Sequence, residues 1–82
     1  MSETRTALVI GATGGIGGEI AAALLRRGWQ VRALARRPRD AARRAAWLAG
    51  VEWIEGDAMN AMDVSAAARG TQVIVHGANP PG

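Results

Sequence analysis

The stretch Gly11-Ala12-Thr13-Gly14-Gly15-Ile16-Gly17 decides the fold. A short apolar run at residues 7–10 precedes it, and a segment with helical periodicity follows it. Strand, glycine turn and helix in this order are the context in which a glycine pattern predicts a phosphate-binding loop. Gly11 permits a tight turn, Gly14 leaves the backbone open to a pyrophosphate, and Gly17 lets the helix pack closely on the sheet. The alternative is an ordinary glycine-rich turn, and the flanking pattern favours nucleotide binding.

The beginning of the helix adds a second reason to expect anions here. The first N–H groups of a helix have no partner inside it, and the helix dipole places partial positive charge at that end. The candidate cofactor-binding set therefore takes in the rest of the loop, with Thr13, Gly15 and Ile16 beside the three glycines.

Length and composition limit the class of protein. A chain of 82 residues makes one small domain at most. Cysteine is absent, which excludes disulfides and cysteine-based metal sites, and no other metal ligand set is visible. The polar start of the chain does not match a signal peptide, and no apolar run reaches the length of a membrane span. These features predict a soluble cytoplasmic protein that contacts no membrane.

The net charge of +3 is compatible with a protein that binds nucleic acid. All ten basic residues are arginine, and they are spread over predicted helix ends and loops. Tyr and Phe, which would stack on bases, are absent. We therefore predict no nucleic-acid partner.

Apolar periodicity divides the chain into alternating strands and helices. We predict that Ile16, Ile20 and Leu24, with Ala21 and Ala23 beside them, form the buried face of the first helix. A third helix is expected to begin after Asn60 or Asp63, either of which can cap it, and to end near Arg69. The four predicted strands lie at 6–10, 30–35, 51–55 and 71–76, and the first two helices lie at 15–27 and 38–49.

The end of the second strand carries the next functional signal. In a dinucleotide-binding fold an acidic residue here would bind the ribose hydroxyls and repel a 2′-phosphate. The sequence has Ala35, Arg36 and Arg37 instead. Because a guanidinium pairs with phosphate in a planar fork, Arg36 first and Arg37 second favour NADP(H) over NAD(H). The alternative is a solvated charge run at the start of a helix.

Two further strand ends carry candidate residues. Gly56, Asp57 and Ala58 follow the third strand, where the Asp57 carboxylate would either accept a hydrogen bond from the adenine amino group or stabilise the local turn. His76 ends the fourth strand, and a packing role or a local hydrogen bond is favoured over catalysis or metal binding.

The order of elements predicts an α/β architecture. Right-handed crossovers give four parallel strands in the order 3-2-1-4 with three helices, the N-terminal half of a doubly wound Rossmann fold. The fourth strand reads as buried on both faces, yet nothing would cover its outer edge. We therefore expect residues 1–82 to form a dinucleotide-binding half-domain of a longer chain, whose remainder completes the sheet.

Residues 7–82 resemble the short-chain dehydrogenase/reductase superfamily, most closely its extended and atypical branches. The resemblance rests on the Gly11-x-x-Gly14-x-x-Gly17 loop, Arg36, Gly56-Asp57 and His76-Gly77-Ala78. The loop also fits a Gly-x-x-x-Gly-x-Gly spacing through Gly15, so it does not by itself select the branch. The resemblance implies that the loop holds the pyrophosphate, Arg36 the 2′-phosphate and Asp57 the adenine, with Gly77 and Ala78 beside the adenosine.

The resemblance implies that the chain binds a cofactor, but it identifies no catalytic residue in this sequence. The superfamily uses a Tyr and a Lys four residues apart, and the sequence contains neither residue type. Two functions are therefore expected. One is the NADP(H)-binding segment of an oxidoreductase or a nucleotide-sugar epimerase or dehydratase with an unknown small-molecule substrate. The alternative is a non-catalytic NADP(H)-sensing module of the NmrA-like type.

Overall fold

A computed structural model of the chain describes residues 4–77. In that range four strands alternate with three helices, and all four strands are parallel to their neighbours. The elements in chain order are β1 Thr6–Ile10, α1 Gly15–Arg26, β2 Gln30–Ala35, α2 Pro38–Arg44, β3 Glu52–Glu55, α3 Ala61–Ala68 and β4 Val73–His76. The sheet order is β3-β2-β1-β4, which confirms the predicted topology.

The register assigns the side chains to the two faces of the sheet. Val9 of β1 is opposite Ala33 of β2 and Val75 of β4, and this row packs towards α1 and α2. Leu8 is opposite Arg32 and Ile74, and this row faces α3. Helices 1 and 2 therefore cover one face and helix 3 the other, as right-handed crossovers on either side of β1 require.

Each face has its own buried core. The first core lies under α1 and α2 and contains Val9, Ala12, Ala21, Val31, Ala33, Ala45 and Leu48. The second core lies under α3 and contains Leu8, Ile10, Leu34 and Ala67. Since β1 contributes to both, its five residues are all buried, as the continuous apolar run predicts.

The predicted buried face of α1 is correct at Ala21, which is buried, and at Leu24, which packs against the first core, but it is wrong at Ile16. Ile16 is 60% exposed, whereas Gly17, Gly18 and Ala21 are the buried positions. The first turn of α1 lies so close to the chain leaving β1 that a Cβ on Gly17 would be 2.1 Å from the carbonyl oxygen of Gly11. Only glycine fits at position 17, so close backbone packing rather than apolar periodicity sets the face of the first turn of this helix.

Helix α2 is shorter than predicted. It ends at Arg44 instead of continuing to residue 49, because Ala45 has non-helical angles and Leu48 N–H donates to the Ala45 carbonyl in a turn. Ala45 and Leu48 both remain in the first core, and the ring of Trp47 lies beside Gly18. Tertiary contacts thus override the helix propensity of this alanine-rich stretch.

Side chains fix both ends of α3. Asn60 is the N-cap, and its side-chain oxygen accepts hydrogen bonds from Met62 N–H and Asp63 N–H. At the other end the Arg32 guanidinium donates to the carbonyls of Ala67, at 3.2 Å, and Arg69, at 2.6 Å. The cation satisfies carbonyl groups that the helix leaves unpaired.

The β4 strand is much less buried than its sequence predicts. Val73 on the α1/α2 face is 40% exposed and Ile74 on the α3 face is 51% exposed, because all three helices pack mainly over β1, β2 and β3. Within residues 4–77 no strand pairs with the outer edge of β4. In the same range no helix is both long and apolar enough to cross a membrane.

Candidate cofactor-binding site

The carboxyl ends of the four parallel strands gather the candidate residues on one rim of the sheet. The glycine loop follows β1, Arg36 follows β2, Asp57 comes soon after β3 and Gly77 follows β4. In open α/β sheets ligands bind outside this edge, at the point where the strand order reverses. That point lies between β1 and β4.

The glycine loop is a tight turn that ends in the first turn of α1. Gly11 has φ 87°, a conformation that favours glycine, and its carbonyl accepts from Gly14 N–H at 3.0 Å. A Cβ on Gly14 would lie 3.4 Å from the Gly11 carbonyl oxygen, whereas a Cβ on Gly15 would meet nothing within 4 Å. Gly11 and Gly17 occur in both glycine spacings described above. Gly11 is required by its positive φ, and Gly17 is required by its contact with the Gly11 carbonyl.

The N-terminus of α1 presents free amides towards this rim. Gly14 is the N-cap with no side-chain capping bond, and Gly18 N–H makes the first intrahelical bond, to Gly14 at 2.8 Å. The N–H groups of Gly15, Ile16 and Gly17 therefore have no acceptor in the helix. No acidic residue lies in the first turn, so the positive end of the helix dipole is not neutralised there.

A cavity of about 760 Å³ joins the glycine loop to the end of β2. Gly11, Ala12 and Thr13 form one side, and Arg36 and Arg37 form another. The predicted phosphate loop and the predicted 2′-phosphate residues therefore lie on one continuous surface, which we call the first cavity. Its remaining lining residues are Leu34, Ala35, Asp40, Ala41, Arg43, Arg44 and Trp53.

A second cavity of about 490 Å³ adjoins the ends of β2 and β3. Its charged lining residues are acidic apart from Arg36, which also lines the first cavity. Arg36 therefore borders both cavities. The other lining residues of this second cavity are Glu55, Gly56, Asp57 and Asp63.

Asp57 has a clear structural role in its turn. One carboxylate oxygen accepts from Met59 N–H at 2.8 Å, and Asp57 N–H donates to the Asp63 carboxylate at 2.8 Å. This is the turn-stabilising arrangement typical of aspartate. The second carboxylate oxygen makes no hydrogen bond within residues 4–77, so the turn leaves one acceptor available to a ligand.

The backbone of Gly77 connects the end of β4 to the end of β1 and to the first turn of α1. Its N–H donates to the Ile10 carbonyl at 2.8 Å, and a Cβ at this position would lie 2.6 Å from the Gly17 Cα. The buried Gly77 backbone thus touches the first turn of α1. Ala78, the next candidate, lies outside the described residues.

The remaining candidates differ in their surroundings. Thr13 and Ile16 are exposed on the glycine loop, and Ala58 is exposed but lines neither cavity. His76 is exposed at the end of β4.

Sequence reasoning missed several residues that line the cavities. Arg43 and Arg44 look like solvated residues of α2, but they line the first cavity together with Asp40. Trp53 reaches it because its position on β3 pairs with Ala33 on the first-core face. The sequence indicates Asp63 only as a helix cap. Its position six residues after Asp57 gives little further signal, because the contact depends on how the loop folds back onto α3.

These residues fit a dinucleotide. The free amides at α1 and the open space beside Gly15 suit a pyrophosphate. The guanidinium groups at the end of β2 suit a further anion. Size is also adequate, since ligand pockets range over about 300–1,000 Å³.

Comparison with known proteins also indicates dinucleotide binding. A family described as NAD(P)H-binding matches residues 11–82. Among curated proteins no match was found. Among solved structures, the TT0495 protein from Thermus thermophilus is 33% identical, with 95% of this chain and 35% of that chain covered and a TM-score of 0.72.

Two other similar structures are a dehydrogenase and a ketoreductase by name. A short-chain dehydrogenase from Streptomyces avermitilis is 30% identical, covers 83% of this chain and 25% of that chain, and has a TM-score of 0.64. A variant of actinorhodin polyketide ketoreductase with NADPH is 28% identical, covers 100% and 36%, and has a TM-score of 0.73.

The 82 residues span about a third of the length of the TT0495 protein and the ketoreductase. The family match covers most of the chain and includes the complete glycine loop. Together with the parallel sheet and the free amides of α1, it shows that the chain belongs to the NAD(P)H-binding family.

Proposed function

We propose that this chain is the NADP(H)-binding segment of an oxidoreductase, or of a nucleotide-sugar epimerase or dehydratase, whose catalytic residues lie outside residues 1–82. The observation that carries the proposal is the first cavity, which places Arg36 and Arg37 on the same surface as the glycine loop. A dinucleotide whose pyrophosphate lies on that loop would extend its adenosine ribose towards the end of β2.

The charges of the first cavity support NADP(H) over NAD(H). Four arginines and one carboxylate, Asp40, line it. Asp40 pairs with Arg43, and within residues 4–77 neither Arg36 nor Arg37 forms an ion pair. A planar guanidinium can pair with two oxygens of a phosphate, so an unpaired Arg36 beside the ribose position would hold a 2′-phosphate.

The other candidate residues then take distinct roles. The loop from Gly11 to Gly17, with Thr13, Gly15 and Ile16 exposed on it, would contact the pyrophosphate. The free oxygen of Asp57 would accept from the adenine amino group, with Ala58 beside it. Gly77 and Ala78 would lie along the adenosine.

Hydride transfer would be the chemistry of the nicotinamide, which the protein binds and orients. The chain contains no Tyr and no Lys. The catalytic Tyr and Lys of the superfamily would therefore come from another part of the protein. The names of the similar structures, a short-chain dehydrogenase and a ketoreductase, support an oxidoreductase.

A non-catalytic NADP(H)-sensing module of the NmrA-like type is the alternative, because the same cavity would serve it. A Tyr-x-x-x-Lys pair in the protein beyond residue 82, about one helix further on, would support the enzyme. Its absence would support the sensor.

The test compares NADPH and NADH binding by calorimetry in the intact protein, as wild type, Arg36→Ala and Arg39→Ala. Arg39 is an exposed arginine of α2 that lines neither cavity, which makes it a matched control. We expect wild type and Arg39→Ala to prefer NADPH. Arg36→Ala should lose about 10- to 100-fold in NADPH affinity, because a hydrogen bond to a charged group contributes about 1.5–3 kcal/mol. Equal affinities for the two cofactors in wild type would contradict the 2′-phosphate role.

We further propose that residues 1–82 form part of a larger Rossmann domain. The exposure of Val73 and Ile74 on β4 supports this, because apolar strand positions of parallel sheets are normally covered. The greater length of the similar structures agrees with it.

A further inference from the structure

The first cavity contains one acidic side chain among its four arginines. Asp40 lies in the first turn of α2 and lines the cavity together with Arg43, three residues further along the same helix. The Arg43 guanidinium donates to the Asp40 carboxylate, and the two form an ion pair. Residues at this spacing lie on one side of a helix, and here that side faces the end of the site proposed for the adenosine ribose.

The ion pair has little to contribute to folding. The Arg43 side chain is 78% exposed and that of Asp40 is 45% exposed, and exposed pairs add little to stability. Both side chains line the cavity, so their charges act mainly on whatever binds there. An unpaired carboxylate in this position would repel an anion that Arg36 and Arg37 attract.

We propose that Arg43 is a positioning residue that raises selectivity for NADPH by neutralising Asp40. The inference rests on the proposed function, since it assumes a 2′-phosphate in the first cavity. A phosphate monoester carries a charge of about −1.5 to −2 at pH 7. Arg43 holds the Asp40 carboxylate in an ion pair and so removes its repulsion of that charge, while Arg36 and Arg37 remain free to contact the phosphate.

A double-mutant cycle tests this mechanism. NADPH and NADH affinities are measured at low salt for wild type, Arg43→Gln, Asp40→Asn and the double variant. We expect Arg43→Gln to weaken NADPH binding by about 3- to 10-fold, the size of a repulsion between charges that are partly screened by water. NADH affinity should change by less than about 2-fold, because NADH has no 2′-phosphate. The double variant should return to within about 2-fold of wild type, since the Asp40→Asn substitution removes the charge that Arg43 neutralises.

Two results would overturn the inference. An unchanged NADPH affinity in Arg43→Gln would show that Asp40 does not repel the cofactor. A double variant as weak as Arg43→Gln would show that Arg43 contacts the phosphate directly instead of acting through Asp40. Arg39→Ala controls for general loss of positive charge on α2, and thermal melts identify any variant that fails to fold, in which case Arg43→Met replaces it.

Failure of the proposed function gives a different pattern. If wild type does not prefer NADPH and Arg36→Ala has no effect, the 2′-phosphate assignment is wrong, and this inference is wrong with it. If both behave as expected and only the cycle at Asp40 and Arg43 fails, the proposed function stands and the positioning role alone is overturned.

Discussion

The Gly17 backbone lies directly against the Gly11 carbonyl, with space for no side chain between them. A Cβ on Gly17 would be 2.1 Å from the Gly11 oxygen and 2.7 Å from its carbonyl carbon. Both neighbours are backbone atoms, which cannot rotate away as a side chain would. The start of α1 therefore lies directly over the end of β1, and only glycine at position 17 permits this approach.

Gly17→Ala is therefore expected to destabilise the protein by at least about 2 kcal/mol, because overfilling a packed region forces the backbone to shift. Gly15→Ala is the matched control, since its Cβ would meet no atom within 4 Å. We expect Gly15→Ala to keep its melting temperature while binding NADPH more weakly, because the added methyl group faces the space proposed for the pyrophosphate. Equal melting temperatures for Gly17→Ala and wild type would contradict the packing role.

Arg32→Met should destabilise the protein by about 1–2 kcal/mol, because two carbonyls at the end of α3 lose a charged donor. The apolar stem of the side chain is kept, so packing changes little. Chemical denaturation measures the effect. Glu52→Gln is the control, since the Arg32–Glu52 pair is long, at 3.7 Å, and the Glu52 side chain is 69% exposed; we expect it to change stability by less than about 0.5 kcal/mol.

Substitutions at Asp57 separate its two roles. Asp57→Asn keeps an oxygen that can accept from Met59 N–H, so the turn should survive, with a melting temperature close to that of wild type. If the free carboxylate oxygen binds adenine, Asp57→Asn should weaken NADPH and NADH binding equally, because both carry adenine. Asp57→Ala should reduce stability as well. If Asp57→Asn binds both cofactors as tightly as wild type, Asp57 stabilises the turn and does not bind adenine.

A polypeptide of residues 1–82 is expected to fold poorly when it is isolated. The apolar side chains of β4 are exposed, and a domain of this size buries a modest fraction of its surface. Circular dichroism should show helix without a sharp thermal transition. A cooperative melt of the monomeric polypeptide would show that it needs no further chain to fold.

The sheet could be predicted from sequence because its signals are local. Apolar periodicity locates the strands and helices, and right-handed crossovers between them give the strand order. Gly28, two residues after α1, and Gly70, two residues after α3, adopt positive φ. The glycine loop, Arg36 and Asp57 could likewise be predicted to share one rim, since parallel strands end at the same edge.

The sequence predictions that failed depend on contacts between elements. Apolar spacing predicts Ile16 in the core, but the contact between Gly17 and Gly11 turns that side chain outwards. Helix propensity extends α2 past Arg44, but the turn at Ala45 and Leu48 forms because both pack in the first core. Nothing in the spacing of Arg43 and Asp40 indicates a cavity, because its opposite side is formed by the distant glycine loop.

The backbone of Gly77 contacts Gly17, so the end of β4 lies directly against the glycine loop. We therefore expect a ligand that orders the loop to stabilise the end of β4 as well. By reciprocity, covering the outer edge of β4 should strengthen the binding of that ligand by the same factor.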